Sequence, residues 1–374
     1  MKKKFLALLM AGVMAMGMVG CGGGSEAEAP EAPAAEDTAE GALDVVFVVT
    51  GQLGDKSFND SANAGVTEMA ETMGCNTKVI EIGRDQTKWQ PTFEDLAEEG
   101  AYDLIITNGS NAGELVLSIA EMYPEQKFVL FDMEMEGDHP NVYTISYEQN
   151  EASYLAGVLA AMVTKSDMPN ANEDNKIGFV GGEEHPIITD FLVGYIEGAK
   201  SVSEDIKVYV SYIGSWDDTA KGKETAMAQY NQGVDIIFPA AEQAGLGCVD
   251  AAVEMGKYII GVDSDQAMLF NGVSEEKANV ILTSVLKEVG NSLVRAASME
   301  MEGKLPWGTF ESLGLAEEGV GLADNQYYQA NVPEDIKAAV DAANTAVMNG
   351  EVVVTSALHA DTETSQAIID SVAP

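Results

Sequence analysis

A short polar segment, GQLGDKSFND at residues 51–60, directly follows the apolar run DVVFVVT and carries side chains suited to binding a small molecule. A glycine after a strand often begins a phosphate loop, but neither G-x-G-x-x-G nor G-x-x-x-x-G-K-[ST] is present in this segment. It offers instead an acid, an aromatic ring and an amide at Asp55, Phe58 and Asn59. This combination favours a neutral polar ring over a phosphate as the bound group.

Three further charged residues stand at the ends of apolar runs. Asp132 ends KFVLFD and Asp263 follows YIIGV, so we expect both carboxylates at the carboxyl ends of strands, where open parallel sheets bind ligands. Lys287 follows the apolar run VILTSVL, and its charge needs a partner. We expect Asp263 to be that partner, although an aspartate at this place also suits a helix N-cap.

Sequence signatures of catalysis and of resident cofactors are missing. The histidines His139, His185 and His359 are far apart and have no companions at metal-ligand spacing. The chain contains no G-x-S-x-G nucleophile elbow and no Walker motif. We therefore expect no catalytic residues, no metal and no cofactor, and the chain itself carries no sequence signature of an ATPase.

The elements that must position these side chains alternate along the chain from Asp44 onward. Runs rich in Val, Ile and Phe, such as KIGFVGG and VDIIF, are separated by longer amphipathic segments such as SANAGVTEMAETMG. Continuous apolar runs are typical of strands covered on both faces, and the alternation predicts βαβ units with parallel sheets. The length exceeds that of a usual single core, so we expect two α/β lobes facing each other across a cleft.

The start of the chain predicts export and attachment to a membrane. Three lysines precede a short apolar stretch, a pattern typical of a signal peptide, here residues 1–20. The residues MVGC resemble a lipobox, in which Cys21 is lipidated after cleavage. Residues 21–43 are rich in Gly, Ala, Pro and Glu and predict an acidic flexible tether. An ordinary secretory signal followed by a stray cysteine is the alternative.

Charge and cysteine content narrow the range of partners. The whole chain has a formal charge of −41, and removal of the first 20 residues takes away three lysines and brings it to −44. Such a field repels phosphorylated ligands and nucleic acids, so no nucleic-acid partner is expected.

Cys75 and Cys248 show no metal-type spacing, and the sequence leaves open whether they form a disulfide.

Several blocks of the sequence resemble the basic membrane protein (BMP) family. They are GDKSFN, KIGFVGG, GSWDDTAKGKE, IIFPAAEQAGLG and GVDSDQ, and the similarity extends over most of residues 44–290. This family consists of lipid-anchored substrate-binding proteins of ABC transporters, and the members most similar to this chain bind purine nucleosides. The resemblance implies a nucleoside ligand, separate permease and ATPase chains, and a location on the extracytoplasmic face of the cell membrane.

The same resemblance implies a type I periplasmic-binding-protein fold, in which each of two lobes is a parallel sheet flanked by helices. We expect the N-terminal lobe to contain residues 44–147 plus about 266–320. The C-terminal lobe is expected to contain residues 148–265 plus about 321–374.

Roles for individual residues also follow from the resemblance. It implies that Phe58 and Phe191 stack on the base. Asp55 and Asp132 would face the base, and Asp263 and Lys287 would bind the ribose. Asn59 and Gly245 are the remaining ligand-binding residues that the resemblance implies. Trp216, in GSWDD, replaces the phenylalanine that is common in the family and enlarges an aromatic position near the cleft.

Three other functions stay open at the level of the sequence. A sugar or a furanosyl signal would be favoured if a single aromatic ring stacked in the cleft. A nucleoside hydrolase would need an acid cluster for calcium, and GDKSFND lacks the expected pattern of acids. An adhesion lipoprotein would share the tether but would not need the cleft residues.

The lipobox predicts that Cys21→Ala releases the protein from membranes and leaves ligand binding intact. A single acyl chain binds a membrane only marginally, so stable anchoring needs the several chains that a lipidated Cys21 would carry. The measurement is the partition of wild type and variant between membrane and soluble fractions. A variant that still partitions fully with membranes would place the anchor elsewhere.

Overall fold

The computed structural model describes residues 42–374, which fold into two lobes that are each built around one sheet. The signal peptide, Cys21 and nearly all of the tether predicted from the sequence lie outside these described residues. Within the described part, no helix combines the length and the apolar character needed to cross a bilayer.

The first sheet has six strands that all run parallel to their neighbours. They are β1 Asp44–Val49, β2 Asn76–Glu81, β3 Leu104–Asn108, β4 Lys127–Phe131, β5 Val142–Tyr147 and β11 Phe310–Leu313, in the order β11-β5-β4-β3-β1-β2. The central strands are buried almost throughout, as the continuous apolar runs predict.

The second sheet repeats this arrangement. It contains β6 Lys176–Gly181, β7 Lys207–Tyr212, β8 Ile236–Ala240, β9 Tyr258–Asp263, β10 Ile281–Lys287 and β12 Val320–Leu322, in the order β12-β10-β9-β8-β6-β7. Its strands are parallel except for the short edge strand β12, which is antiparallel to β10. Matching strands of the two sheets therefore occupy matching places.

Helices cover both sheets. They are α1 Phe58–Met73, α2 Trp89–Glu99, α3 Gly109–Met122, α4 Gln149–Thr164, α5 Pro186–Val202, α6 Thr219–Tyr230, α7 Glu242–Met255, α8 Gln266–Phe270, α9 Glu275–Val280, α10 Val289–Met301, α11 Gln326–Asn331, α12 Glu334–Met348 and α13 Thr362–Asp370. Helix α10 packs against α1 in the first lobe, and α12 packs against α4 in the second.

The structure corrects one expected lobe boundary. Residues from about 266 onward were predicted to return to the first lobe, but β10 pairs in parallel with β9 in the second sheet. The short helices α8 and α9 form the crossover between these strands, so the chain leaves the second lobe only after Lys287. Helix α10 and strand β11 then belong to the first lobe, and β12 returns to the second.

Close contact between α4 and α5 fixes one wall of the later site. A Cβ atom at Gly194 would overlap the backbone carbonyl oxygen of Asn150, and one at Gly198 would overlap that of Tyr154. Only glycine permits this approach, which presses α5 onto the helix that begins directly after β5. The packing thereby sets the position of Phe191, one turn before Gly194 on α5.

Candidate functional site

A cavity lies between the lobes at the carboxyl ends of the strands. Among its lining residues, Asn108 ends β3, Asp132 follows β4, Asp263 ends β9 and Lys287 ends β10. The space between its walls that is free of protein atoms, open solvent included, is about 470 Å³. Because ligands of open parallel sheets bind at this edge, the cavity is the candidate functional site.

Two phenylalanine rings, one from each lobe, line the cavity. Phe58 is the first residue of α1 and Phe191 lies on α5, and the two residues are 5% and 2% exposed. The ring of Phe58 is tilted against Phe131 at a centroid distance of 5.4 Å, and that of Phe191 is T-shaped to Phe238 at 5.9 Å. Core aromatics thus hold both rings in place, and each lobe contributes one phenylalanine ring to the cavity.

The ammonium group of Lys287 lies beside both rings. Its Nζ is 5.1 Å from the ring centroid of Phe58 and 5.3 Å from that of Phe191, within the range of a cation–π interaction. A third ring, that of Tyr147, has its centroid 5.4 Å from the same atom. The charge therefore stands in an aromatic surrounding, close to where a flat ligand would contact the rings.

Lys287 forms a buried ion pair across the lobes with Asp132. The prediction that Asp263 is its partner is wrong. Asp132 reaches the lysine from the facing strand end, while the carboxylate of Asp263 accepts a hydrogen bond from the Ser57 hydroxyl. Because a buried charge without a partner is strongly destabilising, neither member of the Lys287–Asp132 pair is replaceable in isolation.

The acids at the two strand ends share an unusual backbone conformation. Asp132 has a φ of 64° and Asp263 a φ of 61°, in the left-handed region that few residues other than glycine adopt. Asp132 follows β4 and Asp263 ends β9, and these two strands occupy matching places in the two sheets. Strained backbone of this kind is maintained where the surrounding structure over-determines it, which happens mostly at binding and catalytic sites.

Burial dominates the electrostatics of Asp263. It raises the pKa of the Asp263 carboxyl to about 6, while the nearby Lys287 charge and the hydrogen bond from Ser57 act in the opposite direction. Asp55 and Asp132 add to the increase through charge repulsion. The ionised form of Asp263 is therefore held at an energetic cost near neutral pH.

Glu242, which the sequence analysis did not single out, is a third acid in the cavity wall. Its carboxylate accepts from Arg84 Nη2 at 2.5 Å and from Asn59 Nδ2 at 3.0 Å, both in the first lobe. Burial raises its pKa to about 7, against the opposing effect of Arg84. The signal was an acid two residues after the apolar run IIFPA, a position close to that of Asp263 at the end of its own strand.

Asp55 lies outside the cavity lining and serves the start of α1. Its carboxylate accepts from the backbone N–H groups of Ser57, Asn59 and Asp60 at 2.9 to 3.1 Å and from the Asn59 amide at 2.9 Å. Burial raises the pKa of Asp55 although these hydrogen bonds oppose the increase. Neither Asp55 nor Asn59 lines the cavity, and Asn59 donates its amide to Asp55 and Glu242, so their contact with a ligand stays a prediction.

Trp216 lines the cavity, as expected, but Gly245 does not. The Trp216 ring packs where a side chain at Gly182 would lie, and the Arg84 guanidinium stands 5.6 Å from its centroid. Gly245 is buried within α7, and a Cβ atom added there would meet no atom closer than 3.7 Å. A larger residue would therefore fit at position 245, and the contacts around Gly245 do not require a glycine there.

A neutral polar group of residues, also missed from the sequence, completes the wall. Asn108, Ser110 and Asn111 come from the start of α3, and His185 comes from the start of α5 in the other lobe. Their signal was a set of polar residues between a buried strand and a helix, which equally predicts helix caps. Asn108 and His185 do both: they are the N-caps of α3 and α5, and they also line the cavity.

The arrangement suits recognition of a flat polar molecule that also carries hydroxyl groups. Aromatic faces can stack on a ring, while carboxylate and ammonium groups can accept from and donate to hydroxyls. Within residues 42–374, no group of three or more His, Cys, Asp or Glu residues is arranged to hold a metal ion.

Comparison with known proteins gives a consistent result. A family model described as ABC transporter substrate-binding protein PnrA-like matches residues 42–355. The ABC transporter nucleoside-binding protein BmpA of Lactococcus lactis subsp. cremoris is 33% identical over 316 residues, covering 81% of this chain and 86% of the relative. Basic membrane protein A of Borreliella afzelii is 31% identical over 319 residues, covering 83% and 90%.

Solved structures agree in fold. An ABC transporter solute-binding protein from Aeropyrum pernix K1 matches with a TM-score of 0.78 at 25% identity, covering 88% of this chain and 97% of the other. A solute-binding protein from Conexibacter woesei matches with a TM-score of 0.65 at 22% identity, covering 84% and 99%. The two-lobed α/β fold expected from the sequence is confirmed.

The raised pKa of Asp263 predicts that Asp263→Asn stabilises the ligand-free protein at pH 8. The wild-type carboxyl is protonated in both folded and unfolded protein below about pH 4, so the variant gains nothing there. The gain grows as pH rises from the unfolded pKa near 4 to the folded pKa of about 6, and it stays constant above that pH. Its size is on the order of 3 kcal/mol.

Thermal and urea unfolding at pH 4 and pH 8 measure this difference. The exposed Asp167 provides the matched control, since Asp167→Asn removes an equal charge outside the cavity lining. A variant Asp263→Asn that is less stable than wild type at pH 8, or equally shifted at both pH values, contradicts the assignment.

Proposed function

Because the chain belongs to the PnrA-like family of ABC transporter substrate-binding proteins, we propose that it captures purine nucleosides in the interlobe cleft and delivers them to a permease. The observation that carries this proposal is the pair of rings, Phe58 and Phe191, that reach one cavity from opposite lobes. The name of the Lactococcus relative, a nucleoside-binding protein, supports the same ligand class. As a substrate-binding protein of an ABC transporter, the chain acts outside the cytoplasm.

The base is the part of the ligand that the two rings recognise. Stacking on an aromatic side chain contributes about 1–3 kcal/mol per base and accepts any base, because every base has a π-face. With one ring on each lobe, a base that contacts both rings also draws the lobes together. A sugar would use one such face, so the second ring favours a nucleoside over a sugar or furanosyl ligand.

The ribose is assigned to Asp263 and Lys287. Asp263 uses its carboxylate to accept from the Ser57 hydroxyl, and its remaining lone pairs can accept from ribose hydroxyls. Lys287 donates to Asp132 and carries two further N–H groups that can donate to hydroxyl oxygens. The two residues end the adjacent strands β9 and β10, where the register sets Leu286 opposite Asp263.

Charge limits the ligand to a nucleoside without phosphate. The cavity wall holds the acids Asp132, Asp263 and Glu242 against the single lysine Lys287. The chain as a whole also carries a formal charge of −41. A phosphate would have to enter a negative field without the cluster of arginines or lysines that phosphate sites use.

The lipid anchor at Cys21 and the separate ATPase and permease chains are part of the same proposal. A lipidated N-terminus would hold the binding protein at the membrane beside its permease. The proposed activity is binding without turnover, so incubation with inosine, guanosine or adenosine should return each nucleoside intact. Release of free base would favour a nucleoside hydrolase instead.

The proposal predicts that the wild-type protein binds guanosine more tightly than 2′-deoxyguanosine. A site built to pair a hydroxyl leaves its own polar groups unsatisfied when that hydroxyl is absent. A hydrogen bond to a charged group contributes about 1.5–3 kcal/mol, so Asp263→Ala should weaken guanosine binding by roughly 10- to 100-fold. The variant should also lose most of the discrimination against the deoxynucleoside.

A calorimetric cycle with both ligands on both proteins provides the measurement, with Asp167→Asn as the control that leaves affinity unchanged. If wild type does not distinguish the two ligands, or if Asp263→Ala distinguishes them equally well, Asp263 does not bind the ribose. If neither ligand binds, the nucleoside proposal itself is wrong.

A further inference from the structure

We propose that Arg84, Glu242 and Trp216 form an outer clamp between the lobes, and that this clamp sets how long a bound ligand is retained. The inference rests on the proposed function, because it concerns the release of the captured nucleoside. Glu242 and Trp216 line the cavity in the second lobe, and Arg84 reaches them from the first. None of the three belongs to the stacking pair or to the residues assigned to the ribose.

The outer clamp lies at the edge of the sheets opposite to the crossovers between the lobes. Arg84 follows β2 and Trp216 follows β7, and these strands stand at matching outer edges of the two sheets. The chain passes between the lobes after β5, after β10 and between β11 and β12, at the other edge. Four strand spacings separate β5 from β2, which is roughly 19 Å at about 4.8 Å each. A contact so far from the crossovers opposes rotation of the lobes with a long lever arm.

The loop that carries Arg84 is fixed on its own lobe. The backbone N–H groups of Ile82 and Gly83 donate to the carbonyl oxygen of Val49 at 3.0 and 3.3 Å. The indole N–H of Trp89 donates to the carbonyl oxygen of Gly83 at 2.8 Å. The backbone directly before Arg84 is therefore anchored to the end of β1 and to the start of α2, and the arginine side chain extends from it to the other lobe.

Arg84 makes two kinds of contact with the second lobe. Its Nη2 donates to the Glu242 carboxylate at 2.5 Å, and its guanidinium stands 5.6 Å from the ring centroid of Trp216, within cation–π range. The two partners are joined to each other, since the backbone N–H of Ala244 donates to the carbonyl oxygen of Trp216 at 2.9 Å. Asn59 of the first lobe donates to the same Glu242 oxygen at 3.0 Å. The lobes are thus connected here by a charge pair, an aromatic contact and a neutral hydrogen bond.

The charge of Arg84 offsets the cost of placing the Glu242 carboxylate between the lobes. Burial raises the pKa of Glu242 to about 7, the charges of Asp55 and Asp263 act in the same direction, and Arg84 opposes them. Without the arginine, an ionised Glu242 would lie between the lobes with two like charges and no cation. Separation of the lobes would then return the carboxylate to water, so loss of Arg84 alone favours opening. Removal of both charges leaves no stranded group.

The outer clamp acts on ligand release and not on ligand entry. A ligand enters while the lobes are apart and the clamp is not formed, so the association rate constant kon does not depend on these contacts. Release requires the lobes to separate, which breaks them. Truncation of one partner in a buried, hydrogen-bonded charge pair accordingly acts mainly on the dissociation rate constant koff.

Surface plasmon resonance with immobilised protein and guanosine measures both rate constants. Arg84→Met keeps the length of the side chain but removes its charge, and it should raise koff about tenfold without lowering kon. The double variant Arg84→Met/Glu242→Gln also removes the stranded carboxylate, and its koff should return to within about threefold of wild type. Glu242→Gln alone keeps an acceptor for Arg84 and Asn59 and should change koff by less than about threefold.

Two further variants are controls. Lys88→Met removes an equal charge from the same segment of the first lobe, where the exposed Lys88 pairs with Asp85 of its own lobe, and it should leave koff unchanged. Arg84→Lys keeps the positive charge and should hold koff within about threefold of wild type. It also serves if Arg84→Met is too unstable to purify, and a koff raised tenfold or more by Arg84→Lys would contradict the assigned role of the charge.

The rescue separates the clamp from a general loss of structure. A general defect would not be reversed by a second substitution, so a double variant that releases guanosine as fast as Arg84→Met overturns the clamp. Arg84→Met with the wild-type koff overturns it as well. If Glu242→Gln alone weakens binding as much as Arg84→Met, Glu242 acts on the ligand directly and the clamp is wrong.

A measurement without ligand keeps the clamp distinguishable from the proposed function. If guanosine does not bind to the wild type, the proposed function is wrong, and the distance between the lobes decides on the clamp. Spin labels at Gln90→Cys on α2 and Glu224→Cys on α6 occupy exposed positions, whereas Cys75 and Cys248 are buried. The distance between the labels should be longer in Arg84→Met than in wild type and should shorten again in the double variant. An unchanged distance overturns the clamp.

Discussion

The buried ion pair between Lys287 and Asp132 is the interaction on which the site depends. Each charge alone would cost several kcal/mol to bury, so each is stable only where the other reaches it. Lys287 ends a strand of the second sheet and Asp132 follows a strand of the first, so the pair forms only when the two sheet edges face each other. The same ammonium lies about 5 Å from the ring centroids of both Phe58 and Phe191, which ties the positions of the two rings to the way the lobes face each other.

The acids of the cavity show how binding is favoured at the expense of stability. Asp132, Asp263 and Glu242 all have positive φ values, of 64°, 61° and 44°, although none of them is glycine. Burial also raises the pKa values of Asp263 and Glu242. Strained backbone and buried carboxylates both cost free energy. Such costs are typical of a site whose polar groups are organised in advance for a ligand. Hydroxyl groups that donate to these carboxylates would relieve part of that cost.

Much of the fold followed from local patterns. Apolar β-branched runs alternating with amphipathic segments predicted two parallel α/β lobes, and the polar residues after those runs predicted Asp132 and Asp263 at one edge. The boundary after residue 265 was misplaced because the short helices α8 and α9 carry no mark that distinguishes a crossover within one sheet from a return to the other lobe. Strand pairing between β9 and β10 is a nonlocal property and settles the question only in three dimensions.

The site was harder to predict for a related reason. An acid or amide between a strand and a helix is the same signal whether it bonds to the start of the helix or lines a cavity. The sequence therefore did not show that Asp55 would accept from the start of α1, or that Asn108 and His185 would line the cavity. The partner of Lys287 was misassigned because Asp132 is distant in sequence and lies on the other lobe. By contrast, the polar neighbours Ser57 and Asn59 marked Phe58 as a cavity residue, although its ring also packs against Phe131 of the core.

The central claim is that two aromatic rings from opposite lobes close on the base of a nucleoside. A crystal structure of the protein grown with guanosine tests it most directly. The account predicts the base between Phe58 and Phe191, with the ribose hydroxyls within hydrogen-bond distance of Asp263 and Lys287. Guanosine bound outside the cavity, or inside it with the base away from both rings, would contradict the account.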